Sequence, residues 1–178
     1  MKAVIVYESM FGATRRIAQA VADGLGQSGE VQVVRADQAD GGLLDGADLL
    51  VVGAPTHAWS MPRAGTRKGA PGYSDKPGSG LTLEPGADQA PGVREWLASL
   101  GTVATPSAAF DTRIKGPALL TGRASRAIAR GLHRRGAPLT VPPKSFLVDR
   151  GSHLLAGEED KARAWGSRLA ASRSLASK

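Results

Sequence analysis

The chain of 178 residues has no cysteine. Disulfide frameworks, thiolate catalysis, zinc–cysteine sites and iron–sulfur clusters are excluded at once. With only three histidines, a His-based metal site is disfavoured too, so any redox work needs an organic cofactor. Aromatics make up 4% of the chain, so each Trp and Tyr can be weighed singly. No apolar run approaches the roughly 20 residues that a membrane span needs. The opening run Met1–Tyr7 is too short for a signal-peptide core, and a cytoplasmic protein is expected. No Gly-Lys-Ser/Thr and no Gly-x-Gly-x-x-Gly occurs after a strand, which excludes a nucleoside triphosphatase loop and the dinucleotide fingerprint.

What is present reads as alternating strands and helices. Ala3–Tyr7 is continuously apolar, as suits a parallel strand buried on both faces. Ile17, Val21 and Leu25 mark one face of a helix over Thr14–Leu25, with Gly26 as its stop. Val31–Val34 and Leu49–Val52 read as the second and third strands, the latter ending at Gly53-Ala54-Pro55. Leu43 and Leu44 suggest a short helix between them. Val93, Trp96, Leu97 and Leu100 mark a helix beginning near Pro91. Ser107–Phe110 reads as a fourth strand, Arg123–Arg135 as a helix, and Leu139–Val148 as holding a fifth strand interrupted by Pro142-Pro143. A last helix opens on Glu158-Glu159-Asp160, with Ala162, Trp165 and Leu169 facing inward. Five strands alternating with helices predict a three-layer, doubly wound parallel α/β domain spanning residues 1–178. Residues 60–91 hold six Gly and five Pro, and are expected to form an inserted loop without regular elements.

Charge is uneven. Residues 1–50 carry four Lys/Arg against seven Asp/Glu, whereas residues 111–150 carry nine against two, in a chain of net charge +7. Arg123, Arg126, Arg130 and Arg134 recur at helical spacing as a basic stripe. The stripe reads either as a solvated face or as a dock for an acidic redox partner. Without interleaved aromatics or a binding module, it argues against nucleic acid.

The turn Glu8-Ser9-Met10-Phe11-Gly12-Ala13-Thr14 links the first strand to a helix. A helix N-terminus offers unpaired N–H groups and positive potential, Ser9 and Thr14 add hydroxyls, and Gly12 lets the backbone curl. That is a phosphate site or, equally, a plain capped turn.

The run Tyr7–Thr14 resembles the phosphate loop of flavodoxins, a Ser/Thr-rich turn ending in Gly-x-Thr. Val52-Gly53-Ala54-Pro55-Thr56-His57-Ala58-Trp59 resembles that family's second flavin loop. Phe110-Asp111-Thr112-Arg113, and later Arg163-Ala164-Trp165-Gly166, are similar to actinobacterial-type flavodoxin-family proteins. The resemblance implies strand order 2-1-3-4-5 with FMN at the switch point between strands one and three, a rule for which flavodoxin is itself the usual illustration. It implies that Ser9, Met10, Phe11, Gly12, Ala13 and Thr14 hold the phosphate. Pro55, Thr56, His57, Ala58 and Trp59 are implied beside the isoalloxazine, with Trp59 stacking on it, and Phe110, Asp111, Thr112 and Arg113 as a third flavin loop.

Departures are visible. The family's electron carriers are typically acidic and this chain is basic. Phe11 stands where a hydroxyl residue is common, and no aromatic follows Asp111 in the third loop. The reading is an FMN-binding protein acting in electron transfer. An FMN-dependent NAD(P)H:quinone-type oxidoreductase and a non-catalytic binding domain remain open beside it. A phosphoacceptor regulator of the same fold is rejected, because the third strand ends Gly53-Ala54-Pro55-Thr56 and has no acceptor Asp.

Overall fold

The computed structural model describes residues 1–176, with side chains through Arg173. Five strands form one parallel sheet: β1 Lys2–Tyr7, β2 Glu30–Arg35, β3 Leu49–Pro55, β4 Ser107–Ile114 and β5 Lys144–Val148. Their spatial order is β2-β1-β3-β4-β5, and every pairing is parallel. Because β1 has β2 on one side and β3 on the other, the chain reverses its winding there, and the turns leaving β1 and β3 diverge to opposite faces.

The described residues hold seven α-helices, of which α1, α4, α6 and α7 cover the sheet: α1 Ala13–Leu25, α2 Ala64–Lys68, α3 Pro71–Ser74, α4 Val93–Ser99, α5 Ala118–Thr121, α6 Ala124–Arg134 and α7 Glu158–Ala176. The two faces bury separate cores. Val4, Val6, Leu50 and Val52 point to one, with Trp96 and Leu97 of α4 and Ile128 and Leu132 of α6. Ala3, Ile5, Leu49 and Val51 point to the other, with Ile17, Val21 and Leu25 of α1 and Trp165 and Leu169 of α7. Period-2 alternation along strands whose every residue is apolar fills both layers at once. Helices α1 and α7 lie close because glycines face each other across them. A Cβ on Gly24 would fall 2.0 Å from the Arg163 carbonyl, and one on Gly166 would fall 2.3 Å from that of Val21. No helix among the described residues is long and apolar enough to cross a membrane.

The structure corrects several expectations. Residues 60–91 contain α2 and α3, short helices that no apolar period announces because they bury few side chains. Leu43 and Leu44 lie in turns rather than a helix; the glycines on either side break it. Strand β4 does not stop at Phe110 but continues to Ile114, since Asp111–Ile114 pair with Ser145–Val148 of β5. Glu158, Glu159 and Asp160 do stand in the first turn of α7, and Glu158 has a further task. It is 3% exposed and accepts the Leu147 N–H at 3.0 Å, fastening α7 to the edge strand.

Candidate functional site

The first turn leaves β1 at Glu8 and enters α1 through Gly12, whose φ of +86° is a left-handed value that glycine adopts without strain. Ser9 Oγ accepts the Gly12 N–H at 3.1 Å, which curls the turn and leaves the Ser9 proton free to donate. The first-turn amides of α1 have no intrahelical acceptor and carry the positive end of the helix dipole. Thr14 Oγ1 lies 2.7 Å from Thr112 Oγ1. Two hydroxyls that share one hydrogen bond keep one proton between them for a further acceptor.

The second turn is a tight hairpin. His57 N–H donates to the Ser60 carbonyl at 2.8 Å, and Ser60 N–H returns a bond to His57 at 3.1 Å. The two residues between, Ala58 and Trp59, have φ of +45° and +64°. Positive φ at both central positions is the I′ arrangement, which normally calls for Asn or Gly. Two Cβ-bearing residues there store strain on the order of 1–2 kcal/mol each. The turn persists because its surroundings over-determine it: a Cβ on Gly122 would fall 2.2 Å from Trp59 Cα, so the α5–α6 junction packs flat against it. The result lifts Trp59 into the open, 67% exposed.

The second turn and β4 also share the task of starting α6, whose own N-cap residue, Arg123, offers no side-chain cap. Thr56 Oγ1 accepts the Ala124 N–H at 2.9 Å, and Asp111 Oδ2 accepts the Ser125 N–H at 2.8 Å. Asp111 is wholly buried, and burial pushes its carboxyl above the ordinary range despite the Ser125 amide and the nearby Ser145 hydroxyl.

Phe11, Thr56, His57, Ala58, Trp59, Thr112 and Arg113 line one cavity of about 420 Å³. That volume lies inside the range of small-molecule sites, about 300–1,000 Å³. The wall opposite is completed by Tyr73 and Leu81 from the inserted segment and by Leu120. His57 Nδ1 is buried there without a partner, and its ring meets Tyr73 edge-on at 6.4 Å. Phe11 and Gly12 also line a neighbouring hollow of about 450 Å³ with Arg15 and Glu84, so the two spaces meet at the first turn.

The remaining residues of interest are placed differently. Met10 is buried, and its carbonyl accepts the Glu84 N–H at 2.8 Å. Ala13 opens α1, and Pro55 ends β3 half-buried. Phe110 turns away from the cavity altogether. Its ring packs with Phe146 and Trp165 at 6.1 and 6.2 Å and fills the space left by Gly53, where a Cβ would fall 2.0 Å from Phe110 Cζ.

Sequence reasoning passed over Glu8. It is 7% exposed, accepts the Val93 N–H at 3.0 Å and lies 3.4 Å from Arg67 Nη1. Arg67, itself 3% exposed, also pairs with Glu95 at 2.9 Å. Burial raises the Glu8 carboxyl despite Arg67, while the Arg67 pair and the Gly92 amide lower that of Glu95 against its own burial. This ion triad pins α2 and α4 to the first turn. Glu84 forms a second tie, ion-paired with Arg15 beside Gly12.

The family model for flavodoxins matches residues 5–66, the stretch from β1 through both crevice turns. No curated protein matches the chain. Among solved structures, a flavodoxin from the domain Archaea superposes with TM-score 0.65 at 19% identity, covering 98% of this chain and 99% of that one. Oxidised flavodoxin 1 from Bacillus cereus gives 0.63 at 17% identity over 95% and 97%. A flavodoxin, WrbA-like protein from Agrobacterium tumefaciens gives 0.61 at 19% identity over 98% of each chain. With the fold matched end to end, and the family model matched where the two crevice turns lie, the chain has a flavodoxin-like fold.

Proposed function

We propose that the crevice binds FMN and that the protein acts in electron transfer. One observation carries the reading. At the sheet's switch point, a helix N-terminus with unspent hydroxyls adjoins a cavity of about 420 Å³ walled by flat and apolar side chains. The residues present fit the group. Ser9 and the Thr14–Thr112 pair offer protons to a phosphate, alongside the first-turn amides. His57, whose Nδ1 is buried without a partner, lines the same cavity, where a polar heteroaromatic edge would satisfy it. Glu84 beside Gly12 is an opposing charge, and Arg15 pairs with it.

Bound FMN supplies one- and two-electron chemistry that no side chain of this chain provides. The protein's part is to hold and tune it. Trp59, exposed by the strained turn and lining the cavity, would cover the ring and exclude water from it. Arg113, fixed by Gly116 O and Thr121 Oγ1 at 2.9 Å each, sets positive potential along the same wall. Exposed Arg126, Arg130 and Arg134 on α6 suit an acidic redox partner.

A reductase reading is favoured by one feature: Tyr73 and Leu81 of the inserted segment close the crevice, as a wall for a small apolar acceptor would. Purified holoprotein mixed with NAD(P)H and a quinone separates the two. Slow turnover without a partner protein supports the carrier; rapid quinone-dependent oxidation supports the reductase. A protein that gains no flavin colour with FMN rejects both.

A further inference from the structure

We propose a second anion site, for a phosphate group, in the cleft between the edge strand β5 and the start of α6. The cleft has a volume of about 420 Å³, and its lining includes Arg113, Arg123, Lys144, Ser145, Glu158 and Lys161. Its one acid is already engaged: Glu158 holds Lys161 Nζ at 2.7 Å through one oxygen and the Leu147 N–H through the other. Asp111 lies behind the cleft, wholly buried and turned to the Ser125 N–H. Arg123 and Lys144 therefore converge with no counter-charge, beside Arg113, whose nearest opposing charge is the buried Asp111 carboxyl. Arg123 and Lys144 make no ion pair among the described residues, and Arg113 meets only neutral oxygens, those of Ile114, Gly116 and Thr121.

The donors are short of acceptors as well. Nε of Arg113 and Nε of Arg123 are both buried without a hydrogen-bond partner, while the Ser145 hydroxyl stands beside the buried Asp111 carboxyl. A buried donor left unmet is unfavourable. Converging cations and orphaned donors of this kind are what an anion with several acceptor oxygens relieves. Two guanidinium forks and an ammonium match a phosphate dianion better than a carboxylate. The cleft is lined from β4, β5, α7 and the residue that precedes α6. Arg113 lines this cleft and the crevice alike, so a phosphate held here sits beside whatever the crevice contains.

The test is a titration of the isotope-labelled full chain with inorganic phosphate, and separately with ribose 5-phosphate, followed by amide and Arg Nε–H resonances at constant ionic strength. Sodium chloride is the control. The expected result is saturable shifts at Lys144, Ser145, Arg113 and Arg123, weakened roughly tenfold by Lys144→Met or Arg123→Met, the size of one lost charge-assisted hydrogen bond. Thr14→Val should leave these shifts intact, which separates this site from phosphate held at the first turn. Tighter binding of the sugar phosphate identifies an ester; equal binding identifies the free ion. Shifts that track chloride equally, that confine themselves to residues 9–14, or that survive both cleft substitutions overturn the proposal.

Discussion

Thr14 and Thr112 lie 98 residues apart in the chain, and their hydroxyls meet at 2.7 Å beside the crevice that Thr112 lines. The bond joins the turn leaving β1 to the end of β4. If the free proton of this pair serves a phosphate, Thr14→Val should weaken FMN binding about tenfold or more, the worth of a hydrogen bond to a charged group. Thr112→Val should cost less, since Thr14 keeps its own proton. Fluorescence titration of the two variants decides the order; equal affinities for wild type and Thr14→Val would remove the hydroxyl from the site.

Trp59 is predicted to matter to the ligand and not to the fold. It is largely exposed at a positive φ, so Trp59→Gly should leave the apoprotein's Tm unchanged or higher by relieving strain. The same variant should bind FMN less tightly and leave the flavin more fluorescent. A marked fall in the apoprotein Tm would mean that the indole is structural.

The Glu8–Arg67 pair predicts an asymmetry. Arg67→Ala leaves a buried carboxylate without its partner and should destabilise by about 3–5 kcal/mol. The double variant Glu8→Gln/Arg67→Met removes both charges and should recover much of that loss. Denaturant unfolding of single and double variants checks it; additive losses would show that the two residues do not act together.

Asp111 predicts a pH dependence with a definite sign. Its native carboxyl is raised by burial, so the folded chain holds that proton to higher pH than the unfolded chain does. The associated stability is complete below the unfolded value of about 4 and is lost as pH climbs through the raised native value. Asp111→Asn keeps an acceptor for Ser125 and carries no charge. Its Tm relative to wild type should therefore rise from pH 4 to pH 7, and a constant or falling difference would contradict the raised carboxyl.

Much of the architecture could be read from the sequence because β1, β3, α1 and α7 advertise themselves by period and burial. Ile17, Val21 and Leu25 are inaccessible to solvent, and Trp96 and Trp165 are core residues. What stayed hidden was long-range. Nothing local marks Arg67 as the counter-ion of Glu8, or Tyr73 as a wall of the crevice. Phe110 shows the limit of motif transfer: adjacent to Asp111 in sequence, it points to the opposite face of β4 because side chains alternate along a strand. Its partner is Gly53, and Gly53→Ala should cost about 1–3 kcal/mol by overpacking, relieved in Gly53→Ala/Phe110→Leu.

The central claim is that the first turn grips a phosphoryl group so that a flavin ring lies in the adjoining cavity. The most direct measurement compares the affinities of the apoprotein for FMN and for riboflavin, which differ only by that phosphate. The account predicts one-to-one FMN binding at least tenfold tighter than riboflavin binding, at roughly the worth of one charge-assisted hydrogen bond or more. Equal affinity for the two, or no binding of either, would contradict it.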